Sequence, residues 1–272
     1  MKILTLDGGG VFGCLQAAVL ERVDAFAKFD CFVGTSIGSA ICAAIASGRQ
    51  VNVTPSFFHR WMPLIFKSSL RRFNPFDSKY SDAELNSALR DIFGGIFMGD
   101  TKKPLFITAV NVGSCRLKVF DAKSDGGWLL WDVVRCATAA ETYFRSWKGY
   151  ADGGIFVNNP SMVAVAAAAR VLGCKIEDME VLSIGTGDRT CSGSRGPIAL
   201  WSWGLWLLKA QLDGASDKMH DYFLRSLPVR KYERIQFATK SDWKMDSPSA
   251  MLEAERLLKS EIDHAVKIVK EF

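Results

Sequence analysis

The sequence predicts an α/β fold, arranged as a three-layer sandwich in which helices cover both faces of a mainly parallel central sheet. Two observations support this prediction. Short apolar segments, typical of strands buried on both faces of a sheet, alternate with longer helical segments. A strand, a tight turn and a helix also follow one another twice near the start of the chain, and such units build parallel sheets.

The first half of the chain begins with these two strand–turn–helix units. Residues 2–6 form a predicted buried strand, which a glycine cluster joins to a helix over 11–29. Residues 31–33 form a second short strand, and the alanine- and isoleucine-rich range 37–47 predicts a helix that Gly48 ends. The other elements predicted in this half are helices over 54–66, 82–93 (capped by Ser81 or Asp82) and 129–140, a loop over 71–79, and a hairpin of strands 105–112 and 117–120.

The second half contains the clearest helix signal. Residues 161–172 follow a capping Asn159 and Pro160 at the first helical position, and Gly173 stands just past the end. The other elements predicted here are a strand over 180–184, a largely helical range 198–226, a strand over 234–238 and an amphipathic helix over 248–270. In parallel sheets the functional loops lie at the carboxyl ends of the strands, so we expect the site there.

The composition is that of a globular protein. Hydrophobic residues make up 49% of the 272 residues and charged residues 23%, which excludes a disordered or fibrous chain. Because no linker is evident, we expect one domain over 1–272. The seven cysteines show neither a CxxC pair nor regular spacing, which predicts no zinc cluster and no disulfide scaffold, and favours reduced thiols in the cytoplasm.

The charge and hydropathy patterns bear on partners. A net charge of +5 favours approach to lipid headgroups or nucleic acid, although an ordinary basic surface explains it equally well, and we expect no nucleic-acid partner. One cluster of basic residues is either a membrane- or substrate-facing patch or a solvated helix end. It comprises Lys67, Arg71, Arg72 and Lys79, interleaved with Phe66, Leu70, Phe73 and Phe76.

No segment of the sequence predicts a membrane crossing or a signal peptide. The longest apolar stretch, 199–208, is about half the length of a membrane-spanning helix, so we expect a buried helix, with an interfacial or lid segment as the alternative. The first residues lead directly into a strand without the pattern of a signal peptide. We therefore expect a cytoplasmic protein, peripheral at the membrane if its substrate is a lipid.

The first candidate for catalysis is Gly34-Thr35-Ser36-Ile37-Gly38, a G-x-S-x-G sequence between a predicted strand and helix. In a nucleophile elbow, a sharp turn exposes the serine hydroxyl, and flanking glycines permit the close backbone approach. The start of the following helix also favours a developing oxyanion. The alternative is a serine that caps an ordinary turn.

The second candidate, Asp7-Gly8-Gly9-Gly10-Val11-Phe12-Gly13, follows the first strand and allows two interpretations. Its glycines satisfy G-x-G-x-x-G, which is typical of nucleotide-binding α/β modules. That interpretation needs an acidic residue at the end of the second strand, whereas Asp30 precedes the strand. Alternatively, the glycine amides form an oxyanion hole.

The third candidate is Asp152-Gly153-Gly154. Asp-Gly is a common turn pair, so alone it indicates a structural turn more often than a functional site. A nucleophilic serine needs a base, and the three histidines, His59, His220 and His264, all lie in predicted helices away from strand-end loops.

Together the three motifs resemble the patatin-like phospholipase family. DGGGVFG, then GTSIG, then DGG occur in the family's order and on the same elements, and the resemblance spans residue 3 to about 240. Further matches are Ala137-Thr138-Ala139-Ala140 through Tyr143-Phe144, and Ser183-Ile184-Gly185-Thr186-Gly187. The chain departs from the family at Phe12, where a basic residue is frequent, and at Glu141, where proline is frequent.

The resemblance implies a Ser–Asp dyad without a catalytic histidine: Ser36 as nucleophile and Asp152 as general base. It implies an oxyanion hole from the amides of Gly8, Gly9 and Gly10, with Gly13, Gly34, Gly38, Gly153 and Gly154 completing the motifs. The implied substrate is a phospholipid or other acyl lipid at a membrane surface, hydrolysed without a cofactor or metal. We expect Phe12, Ile37, Tyr143 and Phe144 to supply apolar walls; regulation by a small signalling molecule or partner, and homo-oligomer formation, stay open.

Overall fold

A seven-stranded sheet lies at the centre of the protein in the computed structural model, which describes residues 1–67, 77–188, 203, 216–240 and 242–272. The strands are β1 (Lys2–Leu6), β2 (Cys31–Thr35), β3 (Leu105–Asn111), β4 (Arg116–Asp121), β5 (Tyr150–Asp152), β6 (Glu180–Ile184) and β7 (Lys231–Ile235). Their order is β4-β3-β2-β1-β6-β7, and β5 pairs with β3. The neighbouring strands β3, β2, β1, β6 and β7 pair in parallel. Strands β4 and β5 both run antiparallel to β3.

Helices cover both faces of this sheet. They are α1 (Gly13–Leu20), α2 (Ala25–Lys28), α3 (Ile37–Ala46), α4 (Pro55–Ile65), α5 (Asp82–Phe93), α6 (Ala122–Asp125), α7 (Leu130–Ala137), α8 (Ser161–Leu172), α9 (Ser216–Ser226), α10 (Pro248–Leu257) and α11 (Lys259–Glu271). No helix within the described ranges combines the length and the apolar character that a membrane crossing requires.

The two faces of the sheet have separate cores, as strand alternation requires. Leu4 and Leu6 of β1 pack in the larger core with α1, α3, α4, α5 and α7. Ile3 of the same strand packs in the smaller core, where Ala164 and Ala168 of α8 and Leu224 of α9 are buried. Because apolar side chains project from both faces, the predicted α/β three-layer class is confirmed.

The antiparallel strand β5 explains how distant parts of the chain meet. Strand β2 pairs with β3 as far as Thr35 opposite Thr108, and β5 pairs with the next residues of β3, so that Asp152 lies opposite Ala109. Strand β4 occupies the other edge of β3 at these positions, so β5 continues along the edge that β2 leaves. The residues that follow Thr35 and those at the end of β5 are therefore neighbours. The three-residue strand β5 is too short to show a pattern in the sequence.

Three predicted elements differ most from the structure, whereas others differ only at their ends, such as α7, predicted over 129–140 and observed as Leu130–Ala137. The expected helix over 11–29 is divided, because the Asp24 side chain accepts a hydrogen bond from the Ala27 amide and starts α2 separately. The expected helix over 248–270 breaks at Leu258 into α10 and α11. The expected strand 234–238 is wrong in its position along the sequence, because β7 spans Lys231–Ile235. As an edge strand with alternating polar residues, β7 lacks a clear apolar signal.

Other predictions are confirmed or lie outside the described residues. Helix α8 has the predicted bounds, and Gly173, just past its end, has the left-handed conformation. Pro160 was expected at the first helical position but lies just before the helix, whose first residue, Ser161, donates its amide to the Asn159 side chain. Strands β3 and β4 form the predicted hairpin. Of the range 198–226, the structure describes α9 and residue 203, and the expectation for 199–208 otherwise lies outside the described residues.

Candidate active site

Ser36 occupies a sharp turn between β2 and α3. Its backbone has φ 52° and ψ −127°, a conformation that costs a non-glycine residue about 1–3 kcal/mol. The flanking glycines are required by close packing: a Cβ on Gly34 would lie 2.5 Å from the Ser39 Cα, and one on Gly38 would lie 2.3 Å from the Leu6 carbonyl oxygen. The turn therefore has the geometry of a nucleophile elbow, with the amino end of α3 beside the serine.

The Ser36 hydroxyl donates a hydrogen bond of 2.6 Å to the Asp152 carboxylate. Asp152 is 2% exposed, and its second carboxylate oxygen accepts the Gly154 amide at 2.8 Å. Burial raises the pKa of Asp152 to about 6, although its hydrogen bonds to Ser36 and Gly154 favour the ionised form. The structure thus brings the predicted serine and aspartate together across 116 positions of sequence.

The turn after Asp152 is fixed by neighbouring strands. A Cβ on Gly153 would lie 2.3 Å from the Thr108 hydroxyl, so only glycine fits there. The Asp152 amide donates to the Ala139 carbonyl at 3.0 Å, which holds the segment after α7 against the end of β5.

The glycine loop after β1 lies across from this pair. A Cβ on Gly8 would meet the Ser36 Cβ at 2.9 Å, so the loop approaches the serine directly. The Gly8 amide already donates to the Asn158 carbonyl at 3.3 Å. Within the described residues, the amides of Gly9 and Gly10 donate to no protein acceptor. Further along the loop, Gly13 leaves room for Ile37, whose side chain would be 2.6 Å from a Cβ at this position.

A buried ionic network lies behind the glycine loop, and it was not predicted from the sequence. Arg234 of β7, with its side chain 6% exposed, donates to both carboxylate oxygens of Asp7, to the Ser183 hydroxyl at 2.6 Å and to Asp217 of α9 at 2.5 Å. Asp217 also accepts the Asn159 side-chain amide at 3.0 Å. The network joins the residue before the glycine loop to the segment that binds Gly8.

An apolar cavity opens beside Ser36 and Asp152. It has about 770 Å³ of empty space, part of which is open to solvent. Its walls include Ile37, Met62, Ile65, Phe66, Tyr143 and Phe144. A hydrocarbon chain would suit this lining. Phe66 belongs to the basic and aromatic cluster predicted above; Lys79 of that cluster is paired with Asp246, whereas residues 70–76 lie outside the described part of the chain.

Two positions where the chain departs from the family pattern have different environments. The expectation that Phe12 forms a cavity wall is wrong: its ring is fully buried in the core and stacks on Trp243 at 6.0 Å. The sequence could not show which side of the turn this ring faces. Glu141 has both carboxyl oxygens buried, and burial together with the charge of Asp152 raises the pKa of Glu141 to about 8.

The histidines do not join the serine and aspartate. His59 bonds to Glu255 at 2.6 Å, and the His220 ring donates to the Asn159 carbonyl at 2.5 Å. Within the described part of the chain, no histidine makes a hydrogen bond to Ser36 or Asp152. The same residues contain no group of three or more histidine, cysteine, aspartate and glutamate side chains that could hold a metal ion.

The position of Asp30 argues against the nucleotide-binding alternative. Its carboxylate accepts a hydrogen bond of 2.8 Å from the Lys2 amide, at the end of the sheet where the strands β1 and β2 begin. The glycine loop lies at the opposite end of the strands, where β1 finishes. Asp30 therefore cannot hold a ribose whose phosphates lie on that loop.

Comparisons with known proteins identify the family of this chain. Residues 4–165, more than half of the chain, match the family model described as patatin-like phospholipase. Protein teg of Priestia megaterium is 28% identical over 202 residues, which cover 69% of this chain and 64% of that protein. The cGAMP-activated phospholipase of Vibrio cholerae is 24% identical over 307 residues, covering 92% of this chain and 86% of that protein.

The fold is also found among solved structures. A crystal structure of VipD from Legionella pneumophila superimposes with a TM-score of 0.55 at 12% identity, and the match covers 99% of this chain and 67% of VipD. This likeness concerns the fold alone. The chain spans less than two thirds of the length of the Priestia relative. The extent of the family match, and the three motifs that it contains in order, establish that this chain belongs to the patatin-like phospholipase family.

Proposed function

We propose that the protein is a lipid acyl hydrolase of the phospholipase A type, which cleaves fatty-acyl esters through an acyl-enzyme on Ser36. One observation carries the proposal: a strained serine donates a 2.6 Å hydrogen bond to a buried aspartate at the wall of an apolar cavity. Among the described residues, no histidine takes part, so the base is Asp152.

In the first step, the Ser36 oxygen attacks the ester carbonyl carbon while its proton passes to Asp152. The tetrahedral intermediate collapses, the ester bond breaks, and Asp152 returns the proton to the leaving alcohol. Water then gives a proton to Asp152 and attacks the acyl-enzyme, and the fatty acid leaves as the proton returns to Ser36. Burial suits this role, because a desolvated carboxylate with a raised pKa is a stronger base than one in water.

The developing oxyanion is held by the glycine loop. The amides of Gly9 and Gly10 are the best donors, since they have no protein acceptor in the described part of the chain, and the amino end of α3 adds a favourable dipole. The Gly8 amide would contribute after giving up its 3.3 Å bond to Asn158.

The substrate is a phospholipid or another acyl lipid, reached by peripheral contact with a membrane, and its acyl chain lies in the cavity beside Ile37 and Phe144. The Vibrio relative is named for activation by cGAMP. Control of this chain by a signalling molecule or partner stays a prediction, which addition of cGAMP to a hydrolysis assay tests. Homo-oligomer formation and a single domain over 1–272 also stay predictions.

The decisive experiment combines labelling with hydrolysis. A fluorophosphonate should label Ser36, and Ser36→Ala and Asp152→Asn should each lower the hydrolysis of a fatty-acyl ester by about 10³-fold or more. Ser114→Ala is the control, because Ser114 is an exposed serine in the turn between β3 and β4. Full activity in either the Ser36 or the Asp152 variant, with both proteins folded, would overturn the proposal.

A further inference from the structure

Glu141 has an unusual environment for an acidic residue. Each of its carboxyl oxygens exposes less than 1 Å², and neither has a hydrogen-bond partner within the described residues. Glu141 directly follows Ala140, which forms part of the cavity wall beside Asp152. The carbonyl of Ala139, two residues before Glu141, accepts a hydrogen bond of 3.0 Å from the Asp152 amide, so this segment is anchored against the candidate base.

A carboxylate that is buried without a partner is costly, and the usual result is that it keeps its proton. For Glu141 the two largest effects act in the same direction, against a smaller lowering of its pKa by its own backbone amide. Burial raises its pKa, and the negative charge of Asp152 raises it further, to about 8. Asp152 loses its proton first, with a pKa of about 6, since two hydrogen bonds favour its ionised form.

The surroundings contain nothing that would reverse this order. Within the described part of the chain, Asp152 is the charged group whose field acts on Glu141, and no cation acts appreciably on either carboxyl. The groups that contact the Asp152 carboxylate are the Ser36 hydroxyl and the Gly154 amide, and neither is charged.

We propose that Glu141 and Asp152 form a pair of buried carboxyls that carries a single negative charge while the enzyme works, with Glu141 as a positioning residue that holds the proton. This inference rests on the proposed function, because it takes Asp152 as the base. Glu141 keeps its proton during the reaction, and the serine proton goes to Asp152. The charge that leaves Asp152 moves to the oxyanion. If Glu141 lost its proton, its negative charge would repel the negative charge on Asp152 and so favour that movement.

The protonated carboxyl can be observed without any activity assay. Infrared difference spectra of the full chain minus Glu141→Gln should show the C=O band of a buried, protonated carboxyl at pH 7, and this band should disappear with a midpoint near pH 8. The subtraction removes the band of Asp7, another buried carboxyl, whose pKa burial raises to about 7. Glu141→Ala serves for the subtraction if the glutamine variant does not fold. Glu253→Gln is the matched control: a hydrogen bond from Lys240 lowers the pKa of Glu253, so this variant should leave the band unchanged.

Coupling to Asp152 has its own readouts. Asp152→Asn should move the midpoint of the Glu141 band to lower pH, because the like charge is gone. In the ester assay, the wild-type profile of log kcat should rise near pH 6 and again near pH 8, and Glu141→Gln should lose the second rise. A difference spectrum without this band at pH 7, or with a band that does not titrate near pH 8, would overturn the pair.

These outcomes separate the inference from the proposed function. If Ser36→Ala and Asp152→Asn keep full activity while the infrared band behaves as expected, the dyad is refuted and the paired carboxyls stand as a structural feature. If both variants are inactive but the midpoint of the band does not move in Asp152→Asn, the dyad stands and the pairing is refuted.

Discussion

Arg234→Met tests whether the buried ionic network holds the glycine loop. The substitution keeps the length of the side chain but removes a guanidinium that is bound to Asp7, Ser183 and Asp217. Asp217 retains donors from Asn159 and Gln236. Asp7 does not: it is 2% exposed, and within the described residues Arg234 is the sole hydrogen-bond donor to its carboxylate.

The magnitude follows from that difference. Removing one partner of a buried ion pair and leaving the other charged and unpaired costs about 3–5 kcal/mol. This is an upper value here, because burial already raises the pKa of Asp7 to about 7 and the variant can bind a proton there. Such a loss is a large part of the total stability of a typical domain, about 5–15 kcal/mol. Arg225→Met is the control, because Arg225 is also paired, with Asp221 at 2.9 Å, but is 57% exposed, and exposed pairs contribute about 0–1 kcal/mol.

Urea unfolding followed by circular dichroism at pH 7 measures both variants. Combining Arg234→Met with Asp7→Asn should recover part of the lost stability, because the unpaired charge is then absent. Hydrolysis by Arg234→Met at low temperature, where it is still folded, should also fall, since Asp7 directly precedes Gly8. A loss of less than about 1 kcal/mol for Arg234→Met, or no recovery in the double variant, would refute the reasoning.

Three further predictions concern the turn and the base. Gly38→Ala should destabilise the protein by several kcal/mol in urea unfolding, because its Cβ would lie 2.3 Å from a backbone oxygen. The control Gly127→Ala should cost less than about 1 kcal/mol, because a Cβ there would have no atom within 4 Å. Equal effects of the two substitutions would contradict this. Ser36→Gly should be more stable than Ser36→Ala by about 1 kcal/mol, since glycine relieves the backbone strain, and an equal or lower unfolding midpoint would contradict it. Because the pKa of Asp152 is raised from 3.8 to about 6, the folded state holds a proton that the unfolded chain has released, so the free energy of unfolding should fall as the pH rises from about 4 to 6. Asp152→Asn should lose this part of the slope in urea titrations at each pH, and an unchanged slope would count against the buried acid.

The sequence predicted those features of the fold and site that depend on local pattern. The strands β1 and β6 are nearly continuous apolar runs, and the turn at Ser36 is signalled by glycines that the structure shows to be sterically required. Strand β5 was missed, because three residues cannot display a period. The register that places β5 after β2 on one edge of β3 was therefore not predictable, although it is what brings Asp152 to Ser36.

The buried network was missed for a different reason. Arg234 and Asp217 are charged residues on an edge strand and a polar helix, where charged side chains are usually solvated. Their burial depends on contacts 17 to 227 positions apart along the chain. Phe12 shows the same limit for an apolar residue, because its ring could face either the cavity or the core, and packing on Trp243 decides this.

The carboxylates around the site are divided into two systems with opposite electrostatics. Asp7 and Asp217 share Arg234, whose charge opposes the effect of burial, although burial still raises the pKa of Asp7 to about 7. Asp152 has no described cation beside it, and its burial makes the proton of Ser36 more attractive to it. A cation next to Asp152 would lower its pKa and hence its basicity. Confining Arg234 behind the glycine loop, where it orders Asp7 without touching Asp152, therefore lets one small site contain both a rigid donor loop and a reactive carboxylate.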